Sequence, residues 1–161
     1  MAKLISGTSF DKADVSSEGI RILRGGNIVE YSIEFRDDDI FLPKRYVDNE
    51  KNISDGDIVI VASTGSITAI GRPAFVHGSY NNIQIGAFLR IVRPLHINVS
   101  QWLSLIFETT YYRDHISDCV KGTSINNIKA DYVLNMLVPL PPKQEQQRIV
   151  QKIAEIQTLI Q

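Results

Sequence analysis

A chain of 161 residues, 43% apolar and 22% charged, is the length and composition of one globular domain with a short appendage, and both figures argue against disorder. One cysteine, Cys119, excludes an internal disulfide and a thiolate metal cluster, which suits a reducing, cytoplasmic compartment. The net charge of −1 hides an asymmetry: residues 1–60 carry eight basic against twelve acidic side chains, residues 61–161 nine against six.

The first ~95 residues read as short strands divided by turn chemistry. Ile20 to Leu23 runs into Gly25-Gly26-Asn27, and Ile28 to Ile33 alternates apolar and polar. Asp37-Asp38-Asp39 forms an acidic turn before Ile40-Phe41-Leu42. After the turn Asp55-Gly56-Asp57 comes Ile58 to Ala62, a β-branched run of buried-strand type. It is the longest unbroken apolar stretch and is far too short to span a bilayer, so no membrane partner is expected. Nor does the start, Met1 to Gly7, contain the apolar segment of a secretory signal. Pro73 to His77 and Ala87 to Val92 complete the strands. Closely spaced strands without amphipathic helices between them imply a bent antiparallel or mixed sheet.

The pattern changes after Pro94. Asn98 to about Ser117 is expected to be one helix, capped by Asn98 or Ser100, with Trp102, Leu103, Leu105, Ile106 and Phe107 facing the core. A loop from Lys121 precedes a short helical segment at Ala130–Asn135. Met136–Leu140 then reads as a strand, stopped by Pro141-Pro142. In the tail, Ile149, Ile153, Ile156 and Ile160 recur at spacings of 4, 3 and 4, the seam of a helix that packs on another helix. The expected fold class is α+β: a strongly twisted, mostly antiparallel or mixed sheet with packed helices and a projecting C-terminal helix.

Catalytic patterns are missing. His77, His96 and His115 have no metal-ligand spacing, and Ser63-Thr64-Gly65-Ser66 is not a nucleophile elbow. The chain has neither glycine-rich phosphate cradle, so no cofactor and no metal is expected. What stands out is a set of loops rich in small hydrogen-bonding residues. They supply Arg24 and Asn27; Ser63, Thr64 and Ser66; Asn81, Asn82 and Gln84; and Lys121, Thr123, Ser124, Asn126 and Asn127. Asn and Gln pair with adenine, Arg and Lys with guanine, and hydroxyls with phosphate, so these are candidate DNA contacts. Ordinary turns use the same residue types.

The stretch Val138-Pro139-Leu140-Pro141-Pro142-Lys143-Gln144-Glu145-Gln146-Gln147-Arg148-Ile149-Val150 resembles the junction between a target recognition domain and its conserved helix in type I restriction–modification specificity subunits. Gly56-Asp57-Ile58-Val59-Ile60 leading to Gly65-Ser66-Ile67 and Ile70-Gly71 is similar to the same family, as are Arg24 to Ile28, Asn82-Ile83-Gln84 and Lys121-Gly122-Thr123. The resemblance implies a recognition domain over 1–142 and the start of a spacer or dimerisation helix over 143–161. It implies a non-catalytic component that reads one half-site of a bipartite sequence in double-stranded DNA. Methyltransferase (modification) and motor-nuclease (restriction) subunits would be its partners. The isoleucine seam would meet the second half of a specificity subunit or a second copy of the chain. Two other readings stand beside it: a recognition domain of a fused restriction–methylation enzyme, and a protein-interaction domain that oligomerises through its last helix.

Overall fold

The computed structural model describes residues 1–78, 80–121 and 127–160. A four-stranded antiparallel sheet forms its centre, in the order β1, β9, β6, β7 (Ala2–Ser6, Leu89–Pro94, Ile58–Val61, Pro73–Phe75). The apolar run at Ile58 is the inner strand β6, paired on both sides and buried throughout. Alternation divides its side chains between two cores. Ile58 and Ile60 face helices, with Trp102, Phe107, Tyr112 and Ile116. Val59 and Val61 face the opposite way, with Leu23, Ile28, Ala74, Ile85 and Leu89.

The second core is closed by a three-stranded sheet in the order β5, β2, β8 (Ile40–Leu42, Ile20–Leu23, Ile83–Ile85), in which β2 and β8 run parallel. The layers are therefore helices, sheet and sheet. Each fully buried isoleucine or leucine contributes roughly 1.5–3 kcal/mol relative to exposure, and both faces of β6 carry such residues. The α+β class with a mixed, mostly antiparallel sheet is what forms.

Several elements differ from the sequence expectation. Ile28–Ile33 is a tight hairpin, β3 (Ile28–Val29) and β4 (Ser32–Ile33), and not one strand. Glu30 and Tyr31 turn it with positive φ of 44° and 69°, the conformation of a two-residue hairpin loop. Stacking of Tyr31 on Phe75, with centroids 5.8 Å apart, holds the tip down.

The helix expected over Asn98–Ser117 is two helices, α1 (Ser100–Glu108) and α2 (Thr110–Val120). Thr109 breaks them: its backbone is extended, its hydroxyl donates to the Ile106 carbonyl, and the same oxygen accepts from the Tyr112 N–H. Val99 holds the N-cap position of α1, where no side chain caps, and the Ser100 hydroxyl donates to the Ile97 carbonyl.

A short helix, α3, spans Ala130–Leu134. Met136–Leu140, expected as a strand, pairs with no strand among the described residues. Its carbonyls are taken by side chains instead: Trp102 Nε1 donates to Pro139 O at 2.8 Å, and Tyr111 donates to Leu137 O at 2.7 Å.

After Pro141-Pro142 comes α4 (Lys143–Ile160). Its first turns lie against α1: Gln146 is buried and donates to Pro141 O, while Ile149 and Val150 pack on the helical core. Ile153 is half-buried. Beyond it the helix is exposed, with Ile156 at 46% and Leu159 at 85%. The expected seam is therefore divided, because Ile149 and Ile153 turn toward this domain's own α1; the Ile160 side chain lies outside the described residues. Among the described residues, no helix is long and apolar enough to cross a membrane.

Candidate nucleic-acid interface

One open concavity of about 860 Å³ lies where three chain segments end together. Gly25 and Gly26 follow β2, the loop Ser63–Ala69 follows β6, and Phe88 sits in the turn between β8 and β9. The sheets force this meeting. β2 and β8 are parallel and end side by side, with Gly86 N donating to Leu23 O, while Ala62 N and Ser63 N both donate to Phe88 O.

The loop after β6 is knitted by its hydroxyls. Thr64 Oγ1 accepts from Ser66 N, Ser66 Oγ accepts from Ala69 N, and Ser66 and Thr68 share a hydrogen bond at 3.0 Å. From behind, α2 fixes the loop's return. Arg113 donates to the carbonyls of Ile70 and Thr68, and the buried Tyr112 hydroxyl donates to Gly71 O at 2.8 Å. Burial pushes the Tyr112 phenol up, so it stays protonated and able to donate. Gly71 has φ +72°, and a Cβ there would lie 2.8 Å from Ile116, so only glycine fits between loop and helix.

The other wall is the 3₁₀ turn Gly25–Asn27. Arg24 donates to the backbone oxygen and the carboxylate of Asp38, and that hydrogen bond holds the Asp38 carboxyl below the usual carboxylate range. Asp39 is buried, accepting from Asn27 and from the Arg36 N–H and paired with Arg21 at 3.6 Å. Two of the three acidic residues in this cluster are thus tied into the fold. The Arg36 guanidinium makes no hydrogen bond among the described residues and stands beside Gly26, 3.8 Å from where a Cβ would be. Arg72 lines the concavity with a guanidinium that also has no partner among the described residues.

The structure sorts the sequence-derived candidates sharply. Ser63, Thr64 and Ser66 line this concavity, and exposed Asn127 bridges to Ser63, while Arg24 directly precedes the Gly25-Gly26 wall with its guanidinium on Asp38. Two assignments are corrected. Asn27 is 1% exposed, its side chain accepting from Arg24 N and donating to Glu34 O and Asp39, so it holds the turn from inside. Gln84 is 0% exposed in β8, bonded to Thr8. Neither reaches a ligand.

Asn81 and Asn82 are exposed but belong to the other end of the small sheet. Arg21 N donates to Asn82 O at the start of β2, roughly 10 Å from the turn that follows its end. Lys121 is exposed at the end of α2 and pairs with Asp118. Thr123, Ser124 and Asn126 lie outside the described residues.

Sequence reasoning missed Arg36, Arg72 and Phe88. Arg72 had a faint signal, a charged residue directly before the apolar strand Pro73–Phe75, legible only once its pairing with β6 is known. Phe88, 66% exposed on a doubly hydrogen-bonded turn, had none. Among the described residues no cluster of His, Cys, Asp and Glu could hold a metal.

No family model matches the chain. It is 30% identical over 154 residues to the Type I restriction enzyme EcoKI specificity subunit of Escherichia coli (strain K12), a match covering 93% of this chain and 33% of that protein. The StySPI specificity subunit of Salmonella potsdam is 29% identical over the same shares. The chain thus spans about a third of the length of these curated relatives. Among solved structures, a chain from work on complex assembly and conformational transition of the type I R-M system superposes with a TM-score of 0.67 at 20% identity, over 99% of this chain and 36% of that one. The HsdS subunit from Thermoanaerobacter tengcongensis gives 0.61 at 21%, over 99% and 35%. These two likenesses carry the fold, helices on one face of the central sheet and a long helix at the end. Similarity running through 93% of the sequence makes this chain like about a third of a type I restriction enzyme specificity subunit, the family that its motifs resemble.

Proposed function

We propose that residues 1–142 recognise one half-site of a bipartite sequence in double-stranded DNA and that the chain performs no chemistry of its own. On this reading, residues 143–161 begin the helix that meets the second half of a specificity subunit or a second copy. Methyltransferase and motor-nuclease subunits supply methylation and cleavage, in the cytoplasm. The observation that carries it is the convergence of the Gly25-Gly26 turn, the Ser63–Thr68 loop and the Arg72 guanidinium, whose Nε has no partner among the described residues, on one open concavity. Hydroxyls and close-approaching backbone suit phosphate oxygens, and guanidinium groups suit phosphates or guanine edges. An open, hydroxyl-lined groove is a poor enclosure for a small molecule.

The test is a salt titration on duplexes enriched from a random library. Binding should weaken steeply with salt, and one short motif should bind well above scrambled duplex. Binding independent of sequence would sink the recognition reading. With S-adenosylmethionine, Mg²⁺ and ATP present, the purified chain should leave DNA unmethylated and uncut.

A further inference from the structure

Glycine loses more conformational freedom on folding than any other residue, and folds keep it where a left-handed φ or a close neighbour excludes a side chain. Gly25, Gly26 and Gly65 meet neither condition. Their φ lies outside the left-handed region, a Cβ on Gly25 or Gly26 would sit 3.8 Å from its nearest neighbour, and one on Gly65 would meet nothing within 4 Å. The other described glycines each have a positive φ or a backbone oxygen within 3.0 Å of where a Cβ would lie. The three that the fold leaves unexplained are the three that line the concavity. Alanine at each would relieve the entropic penalty without strain, so what the bare backbone keeps clear is the concavity itself.

The same space holds a cation. Arg72 directly precedes β7, and its carbonyl accepts from Val61 N at 3.1 Å while Gly71 N donates to Val61 O at 2.8 Å. It is therefore opposite Val61, on the face of the central sheet that carries Val59, Val61 and Ala74 into the second core, where alternation calls for an apolar side chain. Its Nε is out of solvent contact with no acceptor among the described residues, and a donor left unmatched in this way weakens the free protein. The side chain is half-buried, set back behind exposed Gly26, Gly65 and Ser66. Among the described residues that line the concavity no other is charged, so the space is set for an anion.

On a duplex the sugar–phosphate strands are the outermost, convex parts, and base edges lie on the groove floors behind them. A recessed guanidinium with bare main chain around it therefore meets a phosphate and no base edge. Resting on the reading of this groove as the DNA interface, we infer that the concavity seats the sugar–phosphate backbone of one strand. Arg72 donates to a phosphate oxygen, and Gly25, Gly26 and Gly65 let the main chain approach that strand closely. The seat fixes the position of the domain on the duplex, and it carries no sequence information of its own.

The experiment measures binding of the full chain across a salt series, to a duplex enriched from a random library and to its scrambled counterpart. The proteins are wild type, Gly25→Ala, Gly65→Ala, Arg72→Lys and Arg72→Ala, each with its melting temperature. Each glycine variant should bind both duplexes about tenfold more weakly, the loss of one charge-assisted contact. Its Tm should equal that of wild type or exceed it by up to ~4 °C. Arg72→Ala should weaken both duplexes and lower the salt slope by about one, whereas Arg72→Lys should keep the slope, since phosphate accepts from either cation. Glycine variants that bind both duplexes as wild type does would mean that no strand lies against them, and would overturn the inference. A lower Tm in those variants would make glycine a demand of the fold and overturn it too. So would weakening confined to the enriched duplex, which would make the concavity a reader of bases. In these three cases wild type still binds DNA and the reading beneath stands; if wild type binds neither duplex, that reading falls as well.

Discussion

Replacing Asp57 by alanine should destabilise the protein strongly, because it strips the partner from an enclosed guanidinium. Asp57 is 1% exposed, and its carboxylate takes two hydrogen bonds from Arg93, at 2.8 and 2.7 Å, and one from Ser54 N at 2.8 Å. The Asp57 hydrogen bond pushes the Arg93 guanidinium further up, and Arg93 stays charged whether or not Asp57 is there. Removing the carboxylate leaves that charge largely enclosed, a loss of about 3–5 kcal/mol for a buried pair. The Arg93 side chain is 20% exposed and retains the Asn52 carbonyl at 2.6 Å, so the lower end, about 3 kcal/mol, applies. For a chain of this size that lowers Tm by roughly 6–12 °C. Thermal unfolding followed by circular dichroism measures it. Asp57→Leu with Arg93→Leu removes both charges together and should recover much of the loss. A single variant that melts within about 2 °C of wild type, or a double variant no better than the single, would refute the reasoning that an enclosed unpaired charge is what matters here.

Other outcomes follow from the same structure. Asn27→Ala should lower Tm, by about 1–3 kcal/mol of stability, because Arg24 N, Glu34 O and Asp39 each lose a partner; a variant that melts like wild type would return Asn27 to the surface candidates. Ile153→Asp should lower Tm by loosening α4 from α1, whereas Ile156→Asp should leave Tm alone and weaken only association with a partner helix, read by sedimentation. Burial raises the Glu108 carboxyl, so the fold favours its protonated form: the benefit is complete below the unfolded pKa and is lost as pH rises through the higher folded value. Glu108→Gln should therefore raise Tm near pH 7 and change it little near pH 3. If exposed Lys121 contacts phosphate, Lys121→Ala should lower the salt slope of DNA binding by about one at every sequence.

Local chemistry made much of the fold legible. A β-branched run between turns can only be an inner strand, and β6 is one; a proline pair ends one segment, and α4 begins at the next residue. Breaks made by competing hydrogen bonds were not legible. Thr109 divides two helices because its hydroxyl finds both Ile106 O and Tyr112 N, and no periodicity reports that. Nor did Glu30-Tyr31 announce a turn, since neither residue favours positive φ and it is the stacking of Tyr31 on Phe75 that secures it.

For the candidate site the division is sharper. Residue type alone selected Arg24, Ser63, Thr64 and Ser66, whose loops do meet, and equally selected Asn27 and Gln84, which the fold buries. An asparagine's hydrogen-bonding capacity is the same facing DNA or facing Asp39; only burial decides which it serves. Arg72 shows the converse. Its chemistry was visible in the sequence, but its meaning depends on standing opposite Val61, a register set by pairing between strands across a long loop. Sequence by itself determines which groups are available and where the main apolar runs and proline stops fall, because those follow from neighbours along the chain. Which groups face one groove is decided by contacts between residues far apart in sequence, and those exist only once the two sheets and the helices have packed.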